Sequence, residues 1–180
     1  MKTSSPSWLE QLRSLLNRPV NKARAQPENA PFRVAMIGIG NEFNGDDAAG
    51  VLVARALRKR CSNRPDRLIL EGGTAPENFT GALRHFQPDL AVLVDCAAMD
   101  EPPGAVALLD WDQLDGFGAS THTLPPTMLA DFLLRDMGCA VALIGIQPAG
   151  LDFDAPLSPP VRAAVRQVSR GLIELLELGS

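Results

Sequence analysis

Residues 38–50 read Gly38-Ile39-Gly40-Asn41-Glu42-Phe43-Asn44-Gly45-Asp46-Asp47-Ala48-Ala49-Gly50. An apolar run at 34–37 precedes this stretch, and a segment with helical periodicity follows it. A strand therefore delivers two adjacent aspartates to a glycine-rich loop at the start of a helix. Carboxylates so placed face the crevice in which open α/β sheets bind ligands. A nucleotide loop is the first reading to test, and it fails. Phe43 stands where the dinucleotide fingerprint needs its third glycine, and no Gly-Lys-Ser/Thr follows. Asp46 and Asp47 would also repel the phosphate that a helix N-terminus attracts. The glycines then read as a tight turn at the sheet edge. Asp46 is expected to cap the helix and to gain from its dipole. Asp47 points elsewhere and is free to reach the crevice.

Outward from this stretch the chain alternates strand and helix. Residues 33–39 read as a buried strand, followed by a helix over 46–60 with Ala48, Val51, Leu52, Ala56 and Leu57 inward. A second strand is expected at 67–70, then a helix begun by a Thr74/Glu77 capping box and reaching about 86. Residues 90–94 are continuously apolar, as central parallel strands are. Pro102, Pro103 and Gly104 turn the chain into a strand at 105–109, too soon for a crossover helix. That strand is expected to be antiparallel, beside the preceding one or at an edge. A helix at 128–137, a strand at 140–146 and a final helix opened by Ser158 and Pro159 complete the series. Val161, Ala164, Val165, Val168, Leu172, Leu175 and Leu176 form the inward stripe of that last helix. The fold class is α/β, a single three-layer α/β/α domain around a mixed, mostly parallel sheet of about five strands.

Residues 1–31 differ from the rest. Trp8, Leu9, Leu12, Leu15 and Leu16 recur at helical spacing, Pro19 ends the helix, and 21–31 is polar and proline-bearing. The expected organisation is an N-terminal amphipathic helix and linker over 1–31 and one catalytic or binding domain over 32–180. The helix is expected to dock on the domain surface, with a partner-binding arm as the alternative. Acidic residues number 21 against 17 basic, a net charge of −4, which argues against a general nucleic-acid surface. Arg55, Arg58, Lys59 and Arg60 cluster at a helix end, where they complement the dipole. Cys61, Cys96 and Cys139 show no CxxC pairing, so reduced thiols and a cytoplasmic setting are expected. No apolar run reaches transmembrane length, and Glu10 and Arg13 interrupt the N-terminal leucines, so no membrane insertion is expected.

Further chemistry gathers at the same sheet edge. Asp95 follows the apolar strand 90–94; taken alone it serves equally as a turn residue, as Asp100 does beside Pro102 and Pro103. His122 lies in Ser120-Thr121-His122-Thr123-Leu124-Pro125-Pro126, where it is a ligand or a hydrogen-bonded loop residue. The other histidine, His85, sits beside Arg84 and reads as a solvated surface residue. Cys96 reads as a small buried hydrophobe. Two carboxylates and an imidazole form an incomplete shell suited to zinc, nickel or another divalent ion. Glu71-Gly72-Gly73-Thr74 and Gly145-Ile146-Gln147-Pro148 follow two more strands. Their glycines let an extended peptide approach closely, or simply turn the chain.

Taken together, these residues resemble the endopeptidases that mature the large subunit of [NiFe] hydrogenases, most closely the formate-hydrogenlyase type. The resemblance runs from Arg33 to about Leu176. It rests on Gly38-x-Gly40-Asn41 with Gly45-Asp46-Asp47-Ala48-Ala49-Gly50, Gly72-Gly73-Thr74-Ala75-Pro76-Glu77-Asn78, Val94-Asp95, Thr121-His122 and Gly145-Ile146-Gln147-Pro148. It implies an endopeptidase that removes a C-terminal extension from the hydrogenase large-subunit precursor after nickel insertion. Asp47, Asp95 and His122 are then the metal-contacting and catalytic residues, and Gly72, Gly73, Thr74 and Gln147 line the substrate. Some relatives carry glutamate where this chain has Asp47. Nickel arrives with the substrate; zinc or cadmium could occupy the same site. The rival reading is a nickel-checking chaperone that binds the precursor without cutting it.

Overall fold

The computed structural model describes residues 7–16, 31–61, 64–109 and 126–178. Five strands form one sheet: β1 (Val34–Ile39), β2 (Arg67–Gly73), β3 (Leu90–Cys96), β4 (Val106–Leu109) and β5 (Ala140–Ile146). Five helices accompany them: α1 (Trp8–Leu16), α2 (Ala49–Arg60), α3 (Thr80–Phe86), α4 (Pro126–Asp131) and α5 (Pro159–Leu178). The strand order is β2-β1-β3-β5-β4. All neighbours are parallel except β4 and β5.

Alternate residues of the central strands go to opposite faces. Val34, Met36, Val92, Val94, Ala142, Ile144 and Ile146 pack with α1, α2 and α5. Ala35, Ile37, Ile39, Ala91, Leu93 and Leu143 pack with α3 and α4. Both faces are covered, so the strands read as unbroken apolar runs. The whole expected stripe of α5 is buried, from Val161 to Leu176. Ser158 caps that helix: Val161 N–H donates to its hydroxyl at 3.5 Å and Arg162 N–H to its carbonyl at 2.8 Å. At the N-terminal end, Trp8 and Leu12 of α1 enter the core. Gly171 of α5 leaves room for the Trp8 ring, whose Cη2 would lie 2.9 Å from any β-carbon there. Pro19 and the expected linker before Pro31 lie outside the described residues.

Several elements differ from expectation, each for a tertiary reason. β2 runs on through Gly73 because its ladder with β1 continues past a bulge, Gly38 facing Glu71 and Ile39 facing Gly73. Glu71, Gly72 and Gly73 thus belong to the strand. β3 likewise extends to Cys96, pairing Asp95 with Gly145. β4 is antiparallel and at an edge, but it pairs with β5, because β3 already has β1 and β5 on its two sides. The Thr74/Glu77 capping box does not form. Ala75 is the N-cap of a 3-10 turn, Pro76–Phe79, without a side-chain cap bond. The helix expected at 128–137 is α4 followed by a wider π-type turn, Phe132–Asp136, in which Met137 N–H reaches the Phe132 carbonyl at 3.2 Å.

The helix expected from Asp46 begins as a 3-10 turn, Gly45–Ala48, and becomes α-helical only at Ala49. Its inward face also includes Ala49, Gly50, Val53 and Ala54, while Leu52 and Ala56 are only half-buried. The cause is close contact with the sheet. A β-carbon on Gly50 would lie 2.1 Å from the Val94 carbonyl oxygen and 2.3 Å from that of Ile39. One on Gly38 would lie 2.1 Å from the Gly50 oxygen. These two glycines let helix and strands touch through their backbones, so they are more than turn residues. Neither obstacle is a flexible side chain. Gly50→Ala is therefore expected to cost on the order of 3 kcal/mol, lowering Tm by about 10 °C, as a thermal melt would show.

Candidate functional site

The carboxyl ends of the four parallel strands share one edge, and Asp47 and Asp95 meet there. Gly40 ends β1 with φ at 132°, a region costly for other residues, and a β-carbon on it would lie 1.8 Å from the Asp47 carbonyl oxygen. The chain can therefore turn directly beneath the 3-10 turn that carries the aspartates. Asn41 N–H donates to Asp47 Oδ2 at 2.9 Å and fixes that carboxylate. Burial raises the Asp47 pKa, and the Asn41 hydrogen bond offsets only part of the rise.

Asp95, on the last turn of β3 toward the crevice, accepts the Cys96 N–H at 2.7 Å. Burial pushes its pKa up to about 7, and the negative charge of Asp47 adds to the rise despite the Cys96 bond. The two carboxylates are thus close enough to repel, in surroundings that solvate neither well. Among the described residues neither has an ion-pair partner. A divalent cation would relieve both the burial and the repulsion, so this donor set fits a metal. Among the described residues no cluster of three or more His, Cys, Asp and Glu is assembled for one. The expected third member, His122, lies outside the described residues, as do Thr121 and Thr123. His85 is exposed on α3.

The four residues expected to line a substrate all sit at this edge. Gly72 is buried at the bulge, against the Gly38 oxygen and Pro76 Cβ. Gly73 has no atom within 4 Å of where a β-carbon would stand, and its carbonyl accepts the Gly40 N–H at 3.0 Å. Thr74 is exposed beside it. The Gln147 amide oxygen accepts N–H groups from Met99 at 2.6 Å and Glu101 at 3.4 Å, holding the β3–β4 connection.

Asp46 is not the helix cap it was expected to be. The 3-10 turn in which it lies has Asn44 at its N-cap and no side-chain cap bond. Asp46 is only 1% exposed. Its carboxylate accepts Ala149 N–H at 2.8 Å, Gly150 N–H at 3.3 Å and Ser158 N–H at 2.7 Å. Burial alone would raise its pKa, but the bonds from Ser158, Ala149 and Gly150 outweigh it and the net shift is downward. Its donors lie more than a hundred positions away, so no local spacing announces them. A second group hidden from sequence is ionic. Arg55 binds Glu42 at 2.6 Å and Glu71 at 2.8 Å, tying β2 to the site loop, and Arg58 binds Glu71 at 2.9 Å, so two of the cations expected to serve the helix dipole also pair with carboxylates outside the helix. Cys96 is part-buried, and burial first, then the carboxylates of Asp95, Asp47 and Asp46, push its thiol well above the usual range. It is no thiolate nucleophile.

A family model described as HycI: Hydrogenase maturation protease matches residues 51–174. The chain belongs to the hydrogenase maturation protease family. It is therefore a protease by class. The hydrogenase 3 maturation protease of Escherichia coli K12 is 34% identical over 140 residues, covering 76% of this chain and 86% of that one. The crystal structure of the [NiFe] hydrogenase maturation protease HycI from Thermococcus kodakarensis superposes with a TM-score of 0.75 at 33% identity, covering 83% of this chain and 95% of that one. HybD, the hydrogenase maturating endopeptidase of E. coli, gives a TM-score of 0.65 at 26% identity, over 83% and 94% of the two chains. The mixed five-stranded sheet with helices on both faces is the fold of these relatives. No described helix of the maturation protease is long and apolar enough to cross a membrane.

Two measurements follow from the carboxylates. Burial pushes the Asp95 pKa from the ordinary 3.8 up to about 7, so the folded state holds its proton more tightly. Stability is then lost as pH rises from about 4 through about 7. Asp95→Asn is expected to melt above the parent protein by a margin that grows from about pH 5 to about pH 8; a constant margin would contradict the burial of this charge. Asp46→Ala leaves three backbone donors without an acceptor and is expected to cost on the order of 3 kcal/mol at neutral pH in denaturant titration.

Proposed function

We propose that this protease removes the C-terminal extension of a [NiFe] hydrogenase large-subunit precursor once nickel has been inserted, with the precursor's nickel as the recognition element. The observation that carries the reading is the coupled, poorly solvated carboxylate pair of Asp47 and Asp95 at the sheet's carboxyl edge, in a chain of this family. The nickel is part of the substrate. Asp47, Asp95 and His122 contact it, and the scissile segment lies along the edge lined by Gly72, Gly73, Thr74 and Gln147.

The chemistry assigned to the chain is hydrolysis without an acyl-enzyme. Asp95, its carboxylate fixed at the crevice by the Cys96 N–H, is the proton-transfer group. It takes a proton from the water that attacks the scissile carbonyl and returns it to the departing amine. Asp47, oriented by the Asn41 N–H, supplies fixed negative charge toward the metal. The protonated Cys96 thiol takes no part. Cys61, Cys96 and Cys139 form no disulfide with one another, which suits processing in the cytoplasm.

The deciding experiment incubates nickel-loaded precursor with the protein and follows loss of the extension on a gel. The parent protein is expected to cleave it and to leave nickel-free precursor whole. Asp47→Ala and His122→Ala are each expected to slow cleavage by about a hundredfold or more while keeping a native circular dichroism spectrum. Normal cleavage by both variants would overturn the site. Tight binding of the precursor without any cleavage would make the protein a nickel-checking chaperone instead.

A further inference from the structure

Among the described residues three large apolar side chains are exposed: Phe43 at 67%, Leu151 at 51% and Phe153 at 79%. They come from two loops that the fold binds side by side. Asp154 N–H donates to the Phe43 carbonyl at 2.7 Å, and Asp46 N–H to the Gly150 carbonyl at 3.2 Å. The Asp46 carboxylate holds Ala149, Gly150 and Ser158 from beneath. Gly45 packs against the backbone of Gly150 and Asp152. The phenylalanines therefore stand on an anchored platform, four residues from Asp47 in the case of Phe43. Exposed apolar side chains gathered in one place mark an interaction surface.

The charges around the platform say what fits it. Glu42 is already neutralised by Arg55, in a two-pronged bond of 2.6 and 2.9 Å. Asp152 and Asp154 flank Phe153, are exposed, and make no ion pair among the described residues. A partner with apolar side chains beside Lys or Arg would satisfy both features. An anionic lipid surface would be repelled, and so would a second copy of this chain, whose net charge is −4. We propose that Phe43, Leu151 and Phe153, rimmed by Asp152 and Asp154, dock an apolar segment of the precursor flanked by basic residues, next to the cleavage site. The inference rests on the function proposed above, because continuity with that crevice selects the precursor as occupant. Docking here adds binding energy beside the scissile bond, which lowers KM and leaves kcat unchanged.

The test compares the parent protein with Phe43→Ser/Phe153→Ser and with Asp152→Asn/Asp154→Asn, using nickel-loaded precursor for both steady-state cleavage and direct binding. The phenylalanine variant is expected to raise KM and Kd by about tenfold or more, with kcat at saturating precursor within about twofold of the parent. The aspartate variant is expected to raise KM at low salt and to flatten its salt dependence. Unchanged KM and Kd in both variants, with the parent cleaving normally, would overturn the docking surface alone. Failure of the parent to cleave would overturn the proposed function, and the binding arm would still report on docking. A parent that sediments as a dimer, becoming monomeric in the phenylalanine variant without change in KM, would reassign the patch to self-association and overturn the proposal. Circular dichroism verifies folding, and Phe153→Ser alone, at the most exposed of the three, serves if the double variant is unstable.

Discussion

A single buried carboxylate joins the two loops on which the site depends. Asp46 is shut off from water and surrounded by three backbone N–H donors from the β5–α5 connection and the start of α5. A charge in that position is tolerable only while all its hydrogen bonds are made, so the carboxylate locks the loops in one arrangement. Its neighbour Asp47 is thereby turned toward the crevice, and Phe43 and Phe153 are brought to one surface. Adjacent residues of the same type do opposite work because their side chains leave the backbone in different directions.

The same sheet edge shows the reverse electrostatic design. Where Asp46 gains compensating donors, Asp47 and Asp95 each accept a single backbone N–H among the described residues, and burial drives both pKa values upward. Such a pair is unfavourable while both carboxylates are charged, because burial acts on each and the charge of Asp47 acts on Asp95. Perturbed carboxylates of this kind in a crevice are candidates for a functional site. The backbone contact of Gly38 with Gly50 supports the arrangement by setting α2 close against β1 and β3.

Much of the framework was legible from residue pattern. The apolar runs of β1, β3 and β5 and the stripe of α5 are strong pattern signals, and burial follows them except at Ala140 and Val141, where β5 begins. Asp47 and Asp95 were legible as carboxylates at strand ends. Elements that depend on distant partners were less so. The length of β2 follows from a bulged ladder with β1, the place of β4 from which side of β5 stood open, and the true N-cap at Ala75 from local geometry that a Thr-x-x-Glu spacing does not guarantee.

The chain's own pattern determined the layers, the strand-to-helix order and the chemistry available at the crevice, because hydrophobic periodicity and residue type act over a few neighbouring positions. Which of the two aspartates is held by distant backbone donors was decided only by the tertiary structure. The donors that occupy Asp46 come from the other end of the chain, and Asp95 is lifted first by its burial and then by a charge from another strand's loop. Hydrogen bonding and electrostatic coupling depend on distance in space, which the folded sheet creates and residue spacing does not encode.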